Sequence, residues 1–281
     1  MNNMNLSRFY SRLVIGVFLP VVSFSLSAQN MQSDTNFIPH SGQAGKDVVW
    51  VPTPQVLVNK MLDISNVTAK DFLIDLGSGD GRTVIAAARR GARARGIEFN
   101  PNMVELSRKN AAAEGVSDRA EFIQGDLFEA DLSKATVITM FLLPEINLKL
   151  RPILLKLKPG TRIVSNTFTM EEWIPDTTAL NVEDCVSWCD ALLWIVPANV
   201  EGTWKIAQGE LKLRQEFQMV SGSLKTGKDS ISISEGRLYG DKVSFTMNNG
   251  KYSGTVNGNS IEGTITTGQK SDKWNAIRTG N

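Results

Sequence analysis

The residues best suited to chemistry form a short run, Asp75-Leu-Gly77-Ser78-Gly79-Asp-Gly81-Arg82, directly after the apolar residues Phe72, Leu73 and Ile74. A buried strand that feeds three glycines at alternate positions, and then a helix, makes a backbone cradle. Glycine turns tightly and leaves no Cβ in the way of a ligand, and the free N–H groups of the helix start attract an anionic group. A dinucleotide cradle needs Gly-x-Gly-x-x-Gly, its last glycine for helix packing; here that position is Arg82. Asp75 would repel a pyrophosphate and suits a cation. Glu98 ends the next strand, 17 residues beyond Gly81, where a carboxylate accepts hydrogen bonds from both ribose hydroxyls. Asp126, in Gln124-Gly-Asp126-Leu-Phe128, follows the third strand and is placed to meet an adenine amino group.

A cation, a ribose and a purine together describe S-adenosylmethionine, and Asp-x-Gly-x-Gly-x-Gly is the form its enzymes carry. The plainer alternative is a generic nucleotide fold with incidental acids. Positioning these groups requires alternating elements. Strands are expected at 72–76, 94–99, 120–124, 136–142, 162–167 and 191–196, and helices at 54–62, 82–90, 101–114 and 146–157. Thr53-Pro54 and Asn100-Pro101 each offer a capping side chain followed by proline at the first helical position. Gly91 and Gly115 stop helices. Such alternation predicts an α/β fold with a parallel, doubly wound sheet.

After Val200 the pattern changes. Apolar residues alternate with polar ones, as in Leu211/Leu213, Ile231/Ile233 and Val243/Phe245/Met247, separated by turns such as Asn248-Asn-Gly250 and Asn257-Gly-Asn259. Period two with such turns predicts an antiparallel all-β meander of six or seven strands over 200–281. Trp204 and Trp274 bracket it. Two readings stand: they are plain core, or they close a small barrel with Arg278 stacked on an indole, as lipocalin-type barrels begin with Gly-x-Trp and end with Arg. A closed barrel is also a candidate ligand holder.

Composition narrows the function classes. The 281 residues are 42% hydrophobic and 21% charged with a net charge of +1, so no basic field draws the chain to nucleic acid; the basic stretch 149–162 reads as a solvated helix face. Residues 1–28 read as a secretory signal peptide, with Arg8 and Arg12 ahead of an apolar run (Leu13 to Leu26) and small residues at the cleavage point after Ser27 or Ala28. The run is shorter than the ~20 residues a spanning helix needs. Residues 29–47 read as a polar linker, leaving 48–199 for the cofactor-binding domain. Export implies a periplasmic or envelope location, in tension with a donor made in the cytosol. Cys185 and Cys189 stand four residues apart, too far along a regular strand to pair; a bridge would need a turn there, and unpaired or loosely structural thiols are the main expectation. With one histidine, His40, no metal site is expected.

Val51-Pro-Thr-Pro54, Asp75 to Ala88, Gly96-Ile-Glu-Phe-Asn-Pro101, Gly125-Asp-Leu-Phe128, Leu142-Leu-Pro-Glu145 and Trp173-Ile-Pro-Asp176 together resemble one class I methyltransferase family. It holds the lysine methyltransferases of the ATP synthase c-subunit and the adenine nucleotide translocase and their prokaryotic relatives. The resemblance covers about residues 48–198. It implies cofactor contacts at Asp75, Gly77, Gly79, Glu98 and Asp126, with Thr53 at the methionine end; Ser78 and Gly81 belong to the same loop. It also implies a protein lysine as methyl acceptor. Met140 to Glu145 lacks the (Asn/Asp)-Pro-Pro-(Tyr/Phe) box of amino-methylating DNA enzymes, which argues against a nucleic-acid base. Glu145 is the candidate for holding the acceptor amine, or a helix-start acid stabilised by the dipole. Trp173 and Asp176 are either channel residues or packing residues. The alternatives are a small-molecule acceptor and a non-catalytic exported module whose working part is the meander.

Overall fold

The computed structural model describes residues 37–280; the expected signal peptide and residues 29–36 of the expected linker lie outside them. Four helices, α1 Gln55–Ile64, α2 Arg82–Arg89, α3 Pro101–Ala113 and α4 Pro144–Leu154, flank a seven-stranded sheet. Its strands are β1 Phe72–Leu76, β2 Arg93–Glu98, β3 Ala120–Gln124, β4 Val137–Met140, β5 Arg162–Asn166, β6 Thr177–Ala179 and β7 Ala191–Ile195, in the order β3-β2-β1-β4-β5-β7-β6. The order reverses between β1 and β4, and ligands of open α/β sheets bind outside the carboxyl ends of strands at such a switch point. Asp75 and Glu98 sit at those ends, of β1 and β2.

The sheet is mixed rather than parallel: β7 runs antiparallel to both β5 and β6. A parallel partner would need a crossover of a dozen or more residues, usually a helix, and no helix lies between β5 and β7. Two caps behave as expected. The Asn100 side chain accepts from Asn102 N at 2.9 Å with Pro101 following, and Gly91 and Gly115 take left-handed φ of 87° and 67° after their helices. Thr53 does not cap α1, whose N-cap is Pro54 without a side-chain hydrogen bond. Its hydroxyl instead receives Asn166 Nδ2 at 3.2 Å, across to the end of β5. The apolar faces of the helices close two cores on opposite sides of the sheet, one with Val58, Val84 and Val104, the other with Ile146, Leu150 and Trp194.

Residues beyond Val200 form an antiparallel barrel: β8 Gly202–Ile206, β9 Gly209–Glu216, β10 Met219–Thr226, β11 Asp229–Ser232, β12 Ser234–Tyr239, β13 Lys242–Met247, β14 Gly250–Asn257, β15 Ser260–Thr267 and β16 Lys270–Gly280. β11 and β12 pair in turn with successive stretches of one edge of β10, so they make one interrupted stave. Pairing of β16 with β8, and of β9 with β10, closes the circle. Eight staves exceed the expected six or seven, because in the serine-rich stretch from Ser221 to Ser234 Ile231/Ile233 is the single alternating apolar pair. The interior is filled by Trp204, Leu211, Phe245 and their neighbours, as an eight-stranded barrel permits. Both readings of the tryptophans hold. Trp204 is fully buried, and the Arg278 guanidinium lies 4.4 Å from its ring centroid.

Barrel and sheet are packed together. Phe217 stacks on Trp173 at 6.0 Å, Gln218 Nε2 donates to Ile174 O at 2.7 Å, and Arg237 pairs with Asp176 at 2.7 Å. Asp176 also accepts from Ile195 N at 2.8 Å. Trp173 and Asp176 are therefore packing residues.

Arg278 also donates to the carbonyls of Glu201 and Asn199, tying the last stave to the first. Arg278→Ala is expected to lower stability by about 2 kcal/mol in urea denaturation, and Arg278→Lys to recover little of it, because lysine lacks the planar fork.

Candidate functional site

At the carboxyl ends of β1, β2 and β4 the chain opens a cleft of about 1030 Å³, counted out to solvent. Thr53, Asp75, Gly77, Ser78, Gly79, Glu98 and Asp126 all line it, so most of the residues singled out by type and spacing converge on one space. Gly81 stands just behind, at the N-cap of α2 with φ 83°; a Cβ there would lie 2.7 Å from the Phe122 ring. Glu145 is exposed in the first turn of α4 and is not among the lining residues.

The carboxylates are held by neutral donors. Thr139 Oγ1 donates to Asp75 at 2.6 Å. Glu98 accepts from Gly79 N and Asn100 N, each at 2.9 Å. Burial pushes the Asp75 carboxyl up to about 7 against the pull of Thr139, with Glu98 and Asp80 adding like-charge repulsion. Burial also raises Glu98, opposed by its backbone N–H partners. Asp126 is the reverse case: the Lys46 ammonium bonded to it holds its carboxyl low. Lys46 Nζ also sits 4.9 Å from the centroid of the Phe99 ring. Asp126 and Phe99 thus already present an acceptor beside an aromatic face to a nitrogen donor.

Several parts of this arrangement escape sequence reasoning. Gln43 to Trp50, mostly expected as linker, line the cleft and close on themselves through the Gln43–Trp50 bridge. A Cβ on Gly79 (φ 54°) would lie 2.4 Å from the Trp50 indole nitrogen, so the glycine is what admits Trp50. Their polar composition hid this role. On α3, Ser107 Oγ donates to Gly79 O at 2.8 Å and Asn110 Nδ2 to Asp80 O at 2.9 Å. Polar residues at 107 and 110, in helical spacing on an otherwise buried face, were the available signal. Arg82 clamps Asp80 through two guanidinium nitrogens and reaches Thr53 O at 2.9 Å, which couples the glycine loop to the segment before α1.

The cysteines correct an expectation: Cys185 and Cys189 form a disulfide with Cα atoms 5.6 Å apart. The segment is not a strand. Val182 N donates to Cys189 O at 2.9 Å, and Asp184 and Trp188 take positive φ, which folds the four residues into a bend.

Comparison with known proteins agrees with this geometry. Residues 75–177 match the family described as ANTKMT methyltransferase domain. A protein-lysine N-methyltransferase of Saccharolobus islandicus (strain REY15A) is 42% identical over 152 residues, covering 53% of this chain and 89% of that protein. The ATP synthase c-subunit lysine N-methyltransferase of Homo sapiens is 40% identical over 105 residues, 37% of this chain and 45% of its own length. The chain therefore spans under half of the human enzyme. Among solved structures, an RNA methyltransferase from Salinibacter ruber in complex with S-adenosyl-L-homocysteine shares 51% identity over 53% of this chain and 96% of its own, with a TM-score of 0.50.

An acid whose pKa is higher folded than unfolded binds a proton on folding, so its contribution to stability falls as pH rises between the two values. For Asp75 that window runs from 3.8 to about 7. Asp75→Asn, which keeps an acceptor for Thr139, is expected to melt higher than the parent chain without ligand. The gap in thermal melts should widen from pH 4 to 7 and level off above; a gap independent of pH would contradict the assignment.

Proposed function

The chain belongs to the ANTKMT methyltransferase family and is an S-adenosylmethionine-dependent methyltransferase; from that premise we propose that its methyl acceptor is the amine of a protein lysine. The observation that carries the cofactor site is the buried Asp75 beside the half-buried Glu98, set at adjacent strand ends of one cleft and bonded by neutral donors. Such a site favours a cation that brings hydroxyl donors. The glycine loop fits as well: Ser78, which lines the cleft, has its Oγ buried without a hydrogen-bond partner. In the proposed arrangement Glu98 takes the ribose hydroxyls and Asp126 the adenine amino group after exchanging Lys46. Asp75, Ser78 and the loop Gly77 to Gly81 hold the methionine portion, with Thr53 beside it.

Bound there, the cofactor supplies a methyl group on a sulfonium sulfur, activated for in-line displacement. The chain contributes alignment, which supplies several kcal/mol of the barrier, and exclusion of water. A lysine reacts only after losing its proton. The wall formed by the aliphatic residues Met140, Leu142 and Ile146 disfavours the charged ammonium by desolvation. Glu145, exposed and one residue before Ile146 of the cleft wall, enters the proposal as a carboxylate that meets the incoming ammonium from solvent, and its first-turn position suits the helix dipole equally. The lysine acceptor is supported by the Saccharolobus relative. The Salinibacter protein, described as an RNA methyltransferase, favours a second reading, RNA, which the near-neutral charge of this chain does not support. Among the described residues no helix is long and apolar enough to cross a membrane. The disulfide suits an oxidising compartment, which supports the proposed export.

Two measurements test the reading. Glu98→Ala should weaken S-adenosylhomocysteine binding in calorimetry at least about tenfold, since two hydrogen bonds to a buried carboxylate are lost. Methyl-labelled cofactor should place its label in protease-sensitive, RNase-resistant material that hydrolyses to methyl-lysine. Label in RNA or in small molecules would overturn the lysine acceptor.

A further inference from the structure

Beside the cleft, three aromatic rings from three separate segments meet. Phe141, which follows β4, lines the cleft and stacks on Phe168, which follows β5, at 6.0 Å between centroids. Trp188 joins both, at 6.1 Å from Phe141 and 5.2 Å from Phe168. It lies between the two cysteines of the disulfide. This is not a core cluster, because Trp188 remains 46% exposed.

The rings are held at a structural cost. Trp188 and Thr167 take φ of 55° and 57°, a region that L side chains, and β-branched ones above all, seldom adopt. Such conformations persist where the surroundings over-determine them, and they cluster at functional sites. The surroundings here are explicit. Thr167 N donates to Asp190 O at 2.8 Å, joining the disulfide loop to the end of β5. The buried Asn147 donates to Phe168 O at 3.1 Å. The Cys185–Cys189 bridge closes the bend around Trp188.

We propose that Phe141, Phe168 and Trp188 form the subsite for the alkylammonium group of the acceptor, and that the Cys185–Cys189 disulfide holds Trp188 in it. The inference rests on the lysine-acceptor reading above. Aromatic faces attract an ammonium through the ring quadrupole. Unlike a carboxylate, they add no full negative charge that would resist its deprotonation. Such a subsite also tolerates an amine that already carries methyl groups, which favours successive transfers. Its integrity depends on the oxidised cysteines, so acceptor use is tied to the redox state of the compartment.

The test uses the full chain saturated with S-adenosylhomocysteine and two small probes: choline and its neutral carbon isostere 3,3-dimethyl-1-butanol, followed by ligand-observed NMR. Choline should bind saturably and about tenfold more tightly than the isostere. Trp188→Ala should abolish that preference, Trp188→Phe should keep most of it, and Cys185→Ser/Cys189→Ser should lose it as Trp188→Ala does. S-adenosylhomocysteine affinity, unchanged in every variant, shows that each is folded. Equal binding of the two probes, or choline binding indifferent to Trp188→Ala, overturns the aromatic subsite. Choline preference intact in the double serine variant overturns the role of the disulfide. Failure of S-adenosylhomocysteine to bind the parent chain overturns the methyltransferase reading itself and the inference with it.

Discussion

Two carboxyl groups at neighbouring strand ends, Asp75 buried and Glu98 half-buried, set the terms for the rest of the structure. Burial raises the Asp75 carboxyl, with the charge of Glu98 adding to it, and the groups that bond the pair, Thr139 Oγ1, Gly79 N and Asn100 N, are neutral. Keeping negative charge out of water is costly unless something positive or strongly donating compensates. The fold bears that cost because the strand order reverses beside β1 while β2, β1 and β4 stay parallel and fix both strand ends. A cationic, ribose-bearing ligand relieves it. Much of the surrounding detail serves the same end: Ser107 and Asn110 brace the glycine loop from α3, and Arg82 neutralises Asp80, the second acid of the loop.

How much of this was legible in the sequence depended on whether local chemistry or tertiary context decided the matter. The glycine run, its acids and the Asn100-Pro101 cap are local signals, and the structure places them together as expected. The antiparallel β7 was decided by the lack of a crossover helix after β5, which strand periodicity alone does not reveal. Thr53 looks like a cap but bonds Asn166, more than a hundred residues away. In the segment from Gln43 to Trp50, residues 43–47 have the composition of a linker. The segment is ordered by partners that sequence proximity does not show: Asp126 for Lys46 and the Cβ-free face of Gly79 for Trp50. The disulfide escapes a strand-based reading because positive-φ residues make a bend between its cysteines.

The barrel contributes more than an appended module would. Phe217, from its β9–β10 turn, stacks on Trp173 within the core of the first sheet, and Arg237 completes Asp176. The segment from Trp173 to Asp176 is thereby fixed from the barrel side. The chain between β5 and β7 also carries Phe168, β6 and the disulfide loop, so one connection faces the cleft near its start and end and the barrel in between. This arrangement gives the all-β part a physical means of supporting that connection.

The most direct test of the central claim is proton exchange on cofactor binding. With its carboxyl near pH 7 in the free chain, Asp75 is largely protonated at pH 6, and a cationic ligand beside it favours the ionised form. Calorimetry of S-adenosylmethionine binding at pH 6, in two buffers of different ionisation enthalpy, should show release of a substantial fraction of one proton, lost in Asp75→Asn. Tight binding with no proton exchange, or with proton uptake, would contradict the account.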